Sequence, residues 1–240
     1  MDDTLTDEQR MLHDMVERLA AERHGFDVRR TAILEEQGFH RPFWTELGQL
    51  GILGATLPEG CGGSGADQVA TMLVMSAFGK NLVIAPYVST VICAATLLAR
   101  AGTTAQRERY LPAVIGGSSI IAFACDVAND AAHIDTLQAT ATPTAGGFEI
   151  DACVTAVVGG IWSDHVIVIA KVEAEGGAIG AFILAVDAPG LEMRHARTID
   201  GGSASTAAIA GGAPAAGPAR WSAEARAATP SPRTSTRAAR

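Results

Sequence analysis

Aromatic residues are scarce, making up 5% of the 240 positions. Lysine occurs only at Lys80 and Lys171, against sixteen arginines, a bias that reflects GC-rich coding more than function. The cysteines, Cys61, Cys93, Cys125 and Cys153, contain no C-x-x-C pair, and no two of the six histidines have helical ligand spacing. Those absences argue against a metal site and fit reduced, mostly buried thiols in a cytoplasmic protein. A surplus of positive charge is also missing. With 18 Lys and Arg against 26 Asp and Glu, the net charge is −8, which argues against binding nucleic acid. The start, Met1-Asp2-Asp3, has no apolar stretch of signal-peptide type, which argues against secretion.

An apolar run without a charge, Leu82 to Ala99, covers eighteen residues and is considered as a membrane span. Pro86 splits it into a short entry and a fourteen-residue helix, so the run predicts a buried helix and no membrane span. Apolar periodicity is absent from Ala204 onward. That stretch has fourteen alanines, five arginines, four prolines, one acid (Glu224) and one large aliphatic residue, Ile209. It has little to bury against the entropy of ordering it, and 204–240 is expected to be a disordered tail. The tail carries +4, which leaves −12 on the body.

The body is patterned. Thr6 followed by Gln9 is a capping-box signature, and Leu12, Met15, Val16, Leu19 and Ala20 then share one helical face. Pro42 suits the first turn of a second helix that ends near Gly51. Further helices are expected over about 67–78, from Pro86, and over about 105–115. After Gly116-Gly117 the period changes to two. Phe148, Ile150, Ala152 and Val154 alternate with polar residues or cysteine, and 166–170, 178–186 and 191–193 have strand character. Helices followed by a block of strands predict an α+β chain: an all-α domain over 1–117, a β-barrel domain over 118–203, and the tail.

Gly60-Cys61-Gly62-Gly63-Ser64-Gly65 satisfies G-x-G-x-x-G, the pattern of a dinucleotide-binding turn. That turn also needs an apolar strand leading in and an acid about twenty residues on. Pro58 interrupts the lead-in, and no Asp or Glu lies between Asp67 and Glu108. The motif reads as a loop between helices.

The same region carries a resemblance. Leu47-Gly48-x-Leu50-Gly51-Ile52 and Leu57-Pro58-Glu59-x-x-Gly62-Gly63-Ser64-Gly65 are similar to the N-terminal domain of the acyl-CoA dehydrogenase family. Supporting pieces follow in the family's order: 5–10, Gly79, Asn81-Leu82, Pro86, Tyr110-Leu111-Pro112, Ser163 to Val168, and Thr198-Ile199-Asp200-Gly201. The resemblance implies N-terminal helices, a β-barrel, and FAD-dependent α,β-dehydrogenation of an acyl-CoA thioester by an oligomer. Its strand-end flavin motif matches Ala124 to Asp130, which makes Cys125, Asp126, Val127 and Asn129 candidate FAD contacts. The family's Gly-Ser pair is missing there. A second motif, Lys-x-Trp-Ile-Thr-Asn, matches 155–160 and adds Val158, Gly159 and Gly160, without the lysine, tryptophan or threonine. In the family the catalytic base is a glutamate of a C-terminal helical domain. After Asp200 the only acidic side chain is Glu224, so no catalytic residue is assigned. Three readings follow: a dehydrogenase with FAD binding weak or lost, a non-catalytic partner of a second dehydrogenase subunit, or a fragment whose reading frame changes after Gly202 or Ser203.

Overall fold

The computed structural model of the protein describes residues 5–34, 38–125, 137–145, 147–157, 159–173, 178–197 and 203–214. Helix α1 (Asp7–Arg23) starts at the expected box: Gln9 N–H donates to Thr6 Oγ1 at 3.2 Å, and Thr6 N–H donates to Gln9 Oε1 at 3.0 Å. Helix α3 (Arg41–Gln49) has Pro42 in its first turn. Helix α4 (Gln68–Lys80) is capped by Asp67, which also accepts from Gln9 Nε2 at 3.0 Å. With the Lys80–Glu17 ion pair at the far end, that bond fixes α1 beside α4 in parallel. Helix α6 (Thr104–Ile115) repeats the box with Thr103 and Gln106.

Helix α2 (Phe26–Leu34) has no counterpart in the sequence pattern, because only Ala32 of its nine residues is buried and no apolar stripe announces it. The uncharged run folds as a π-helical segment, Val88–Ala95, continuing into α5 (Thr96–Ala101). Among the described residues, no helix is long and apolar enough to cross a membrane.

Leu82, just past α4, adopts a left-handed conformation (φ 52°) although it is exposed. Val83 N–H donates to Phe78 O and Leu82 N–H to Gly79 O, the two bonds of a Schellman ending that normally places glycine at this position. A side chain there costs roughly 1–2 kcal/mol, against glycine's somewhat larger entropy loss. Leu82→Gly is therefore expected to stabilise the chain by about 1 kcal/mol, read as a melting-temperature rise of about 2–4 °C.

The strands are β1 (Ile121–Ala124), β2 (Thr140–Thr144), β3 (Gly147–Val157), β4 (His165–Val172), β5 (Ala178–Ala185), β6 (Leu191–Arg197) and β7 (Ser203–Pro214). They form one mixed sheet in which β4 is central. β5 pairs antiparallel along one side of β4. On the other side, β1 runs parallel to 165–168 and β2 parallel to 171–172. β2 leads on to β3, β7 and β6. The ends of the sheet, β5 and β6, do not pair with each other among the described residues. β3 buries Phe148, Ile150, Ala152 and Val154, as its alternation predicts.

Strand β7 corrects the sequence reading. Within 204–214, assigned to the tail, the chain pairs with β3 from Ser205 to Pro214 and with β6 up to Ile209, so the sheet runs past residue 203 to Pro214. Apolar periodicity was the wrong test for this segment, because two flanking strands supply its backbone with partners. The remainder of the expected tail, 215–240, lies outside the described residues.

The helices and the sheet share their packing. One core joins Phe43, Trp44, Leu47, Phe78, Tyr87 and Trp162. The other joins the strand interiors to Ala94, Ala95, Leu98, Leu111 and Val114. The π segment thus contributes to both cores.

Candidate functional site

The described parts of the two stretches proposed to hold a flavin are Cys125, just past β1, and the turn that leads into β4. Because β1 and β4 are parallel with Ile121 opposite His165, the turn leading into β4 lies beyond the start of β1, and Cys125 lies beyond its end. Cys125 is half-buried and packs against the sheet core. Asp126, Val127, Asn129 and Val158 lie outside the described residues.

Gly159 and Gly160 are described. Gly159 is left-handed (φ 75°) and opens a short 3-10 turn, Gly160–Trp162. A Cβ at Gly159 would lie 3.0 Å from Pro86 Cβ and 3.3 Å from Ser89 Oγ, both at the entry to the π segment, and 3.5 Å from the Trp162 ring. Gly160 is buried, and its carbonyl accepts from Ser163 Oγ at 2.6 Å. Trp162 packs against Phe39 with centroids 4.8 Å apart, and its carbonyl accepts from Arg41 Nη2 at 3.2 Å. Val157, matched to the family's tryptophan, is fully buried in the sheet core. Of the candidate flavin contacts, Cys125, Gly159 and Gly160 are thus the ones described. The 159–160 turn is closed by the chain's own Pro86, Ser89 and Trp162.

The glycine-rich loop also fails as a phosphate cradle, for a reason absent from the sequence pattern. Its amides are consumed internally: Cys61 and Gly63 donate to Pro58 O, Gly62 to Glu59 O, Ser64 to Gly54 O, Gly65 to Leu57 O and Ala66 to Ala55 O. An anion would find the amides of 61–66 already donated within the chain. The loop instead walls a cleft of about 570 Å³ with Pro58, Cys61, Arg107 and Glu108 among its lining. A smaller cleft of about 290 Å³ lies between α2 and His40. No cluster of metal-ligating side chains occurs among the described residues.

The π segment is the feature that sequence reasoning missed, since i→i+5 bonding has no residue-type signature and only its entry at Pro86 was visible. It lies against β1. Tyr87, which precedes it and packs on Phe78, and Thr90 within it are buried, with hydroxyls that have no partner. Burial pushes the Tyr87 phenol up to about 12 and raises the Cys93 thiol, which keeps both groups protonated and unreactive.

Residues 6–118 match the family model described as acyl-CoA dehydrogenase, N-terminal domain. Mitochondrial isovaleryl-CoA dehydrogenase of Pongo abelii is 31% identical over 193 residues, covering 78% of this chain and 45% of that protein. Acyl-CoA dehydrogenase FadE27 of Mycobacterium tuberculosis is 29% identical over 168 residues, covering 70% and 43%. Among solved structures, the ChsE4–ChsE5 complex of Mycobacterium tuberculosis superimposes with a TM-score of 0.77 at 26% identity, covering 88% of this chain and 56% of that one. The chain thus spans about half the length of the curated relatives it matches.

Proposed function

Because the chain belongs to the acyl-CoA dehydrogenase family, we infer that it serves the FAD-dependent α,β-dehydrogenation of an acyl-CoA thioester as an incomplete unit. In this reading its own flavin contacts are weak or lost, and a second dehydrogenase subunit supplies the flavin site and the base. The observation that carries it is the 159–160 turn, where Pro86, Ser89 and Trp162 occupy the space beside Gly159. The flavin would act as electron sink in the assembly, while this chain's residues bind and orient. Arg41 and the π segment then have a positioning task, holding the turn that leads into β4 against the helices. The two-protein composition named for the ChsE4–ChsE5 structure supports a heteromeric arrangement. We place the assembly in the cytoplasm, and the chain in two units, 1–117 and 118 onward.

Purified alone, the chain is expected to be colourless and to take up far less than one FAD per chain on incubation. Co-expressed with a second family chain, it is expected in a yellow complex that oxidises acyl-CoA. One equivalent of FAD retained by this chain alone would refute the reading.

A further inference from the structure

His165 opens β4 and meets α6 through Tyr110. The two rings are 5.1 Å apart and nearly perpendicular (73°). Arg109 places its guanidinium over the same tyrosine ring, 5.2 Å from the centroid. The imidazole is half-buried, and its Nδ1 is fully enclosed without a hydrogen-bond partner.

The neighbouring carboxylates do not neutralise this ring. Asp164, next in sequence, is committed to accepting from Ser119 Oγ at 3.0 Å and from Ile120 N–H at 2.9 Å, where it ties down the entry to β1. Asp187, beyond the end of β5, is exposed, and water screens its charge. The charged or titratable groups facing the imidazole are thus Arg109 and Tyr110 from α6, Asp164 from its own strand, and Asp187 after β5. Burial, the largest influence, pushes the imidazole below its ordinary 6.5; Asp164 and Asp187 oppose that shift, and Arg109 adds to it.

We propose that Tyr110 and His165 form a proton-operated latch, which holds α6 on the sheet while His165 is neutral and lets it go when His165 takes up a proton. The added proton puts a charge on a ring with an enclosed, unpartnered nitrogen, and that charge shares the Tyr110 ring with Arg109. A buried charge without a partner is costly, and the least costly relief is to expose the ring by lifting α6. The released element matters because α6 runs through Gly116-Gly117 directly into β1.

The sign is as follows. A folded-state value below 6.5 means that folding favours the neutral ring. The contribution to the contact is therefore full above 6.5, is lost progressively as pH falls below it, and reaches its full loss once the folded value is passed.

Hydrogen exchange of the α6 peptide in the full chain, corrected for the intrinsic pH dependence, tests this alongside an NMR titration of His165. From pH 7.5 to 5.5, α6 is expected to lose protection about tenfold more than β3 does. His165→Gln should abolish that difference. Arg109→Gln, which removes the competing cation and lifts the folded-state value toward 6.5, should shrink the acid-driven loss of protection in α6. Equal pH dependence of α6 in the wild type and His165→Gln would overturn the latch. So would a His165 that titrates at or above 6.5, or an Arg109→Gln protein whose α6 loses as much protection as the wild type. His24, buried in the helical core, titrates in the same direction, but its effect would spread over the helices and would survive His165→Gln.

Discussion

Gly48→Ala is expected to destabilise the chain by about 3 kcal/mol, although the same change on an exposed helix face gains up to about 1 kcal/mol in helix propensity. Gly48 lies in the last turn of α3, where the end of α6 crosses it. A Cβ would sit 2.4 Å from the carbonyl carbon of Gly116, 2.6 Å from its oxygen and 2.6 Å from Gly117 N. All three are backbone atoms, so no side chain can rotate away. Gly117 is equally constrained, with φ 71° and a would-be Cβ 2.9 Å from Trp44 O. Relief requires α3 and α6 to separate, which strips contact from Trp44 and Leu47 on one side and moves the lead into β1 on the other. The expected drop in melting temperature is about 6–12 °C. Gly60→Ala is the control, because a Cβ there meets nothing within 4 Å and should change stability by less than about 0.5 kcal/mol. A Gly48→Ala protein as stable as Gly60→Ala would mean that the α3–α6 crossing is looser than its geometry requires.

This contact marks where sequence reading stops. The Leu47-Gly48-x-Leu50-Gly51 pattern pointed to the family, but the need for glycine at 48 is set by backbone far along the chain, which no local window contains. Elements with local signals were legible. Capping boxes located the starts of α1 and α6, Pro42 located α3, and strict alternation located β3. Elements defined by their neighbours were not. α2 has too little buried surface to show a stripe, and β7 is a strand because β3 and β6 flank it. The candidate site divides along the same line. Motif order could nominate Cys125, Gly159 and Gly160, but that they fall at opposite ends of β1 follows from the parallel β1–β4 register. The contact of the 159–160 turn with Pro86 and Ser89 joins it to a segment that the sequence marked only as a helix start and an uncharged run, with Pro86 as a family piece.

Phe43→Ala is expected to cost about 3–5 kcal/mol, the range for deleting a buried phenylalanine. The ring is 1% exposed and stands between His24, at 5.5 Å, and Phe78, at 6.2 Å; Phe78 in turn meets Tyr87 edge-on at 5.3 Å. Removing it opens the middle of the helical core, whereas Phe43→Leu keeps most of the volume and should cost less than about 1.5 kcal/mol. The cavity has a second, separable consequence. His24 Nε2 accepts a hydrogen bond from Ile84 N–H at 3.4 Å, and burial pushes the imidazole below 6.5. Folding therefore favours neutral His24, and the wild type loses stability as pH falls below 6.5 toward the folded-state value. Water admitted by the cavity would lift that folded-state value back toward 6.5 and remove the acid sensitivity. Urea denaturation at pH 7.5 and 5.5 should show the wild type and Phe43→Ala closer together at the lower pH. A constant difference between them would mean that His24 stays dry after the ring is removed, and the account of its burial by Phe43 would be wrong.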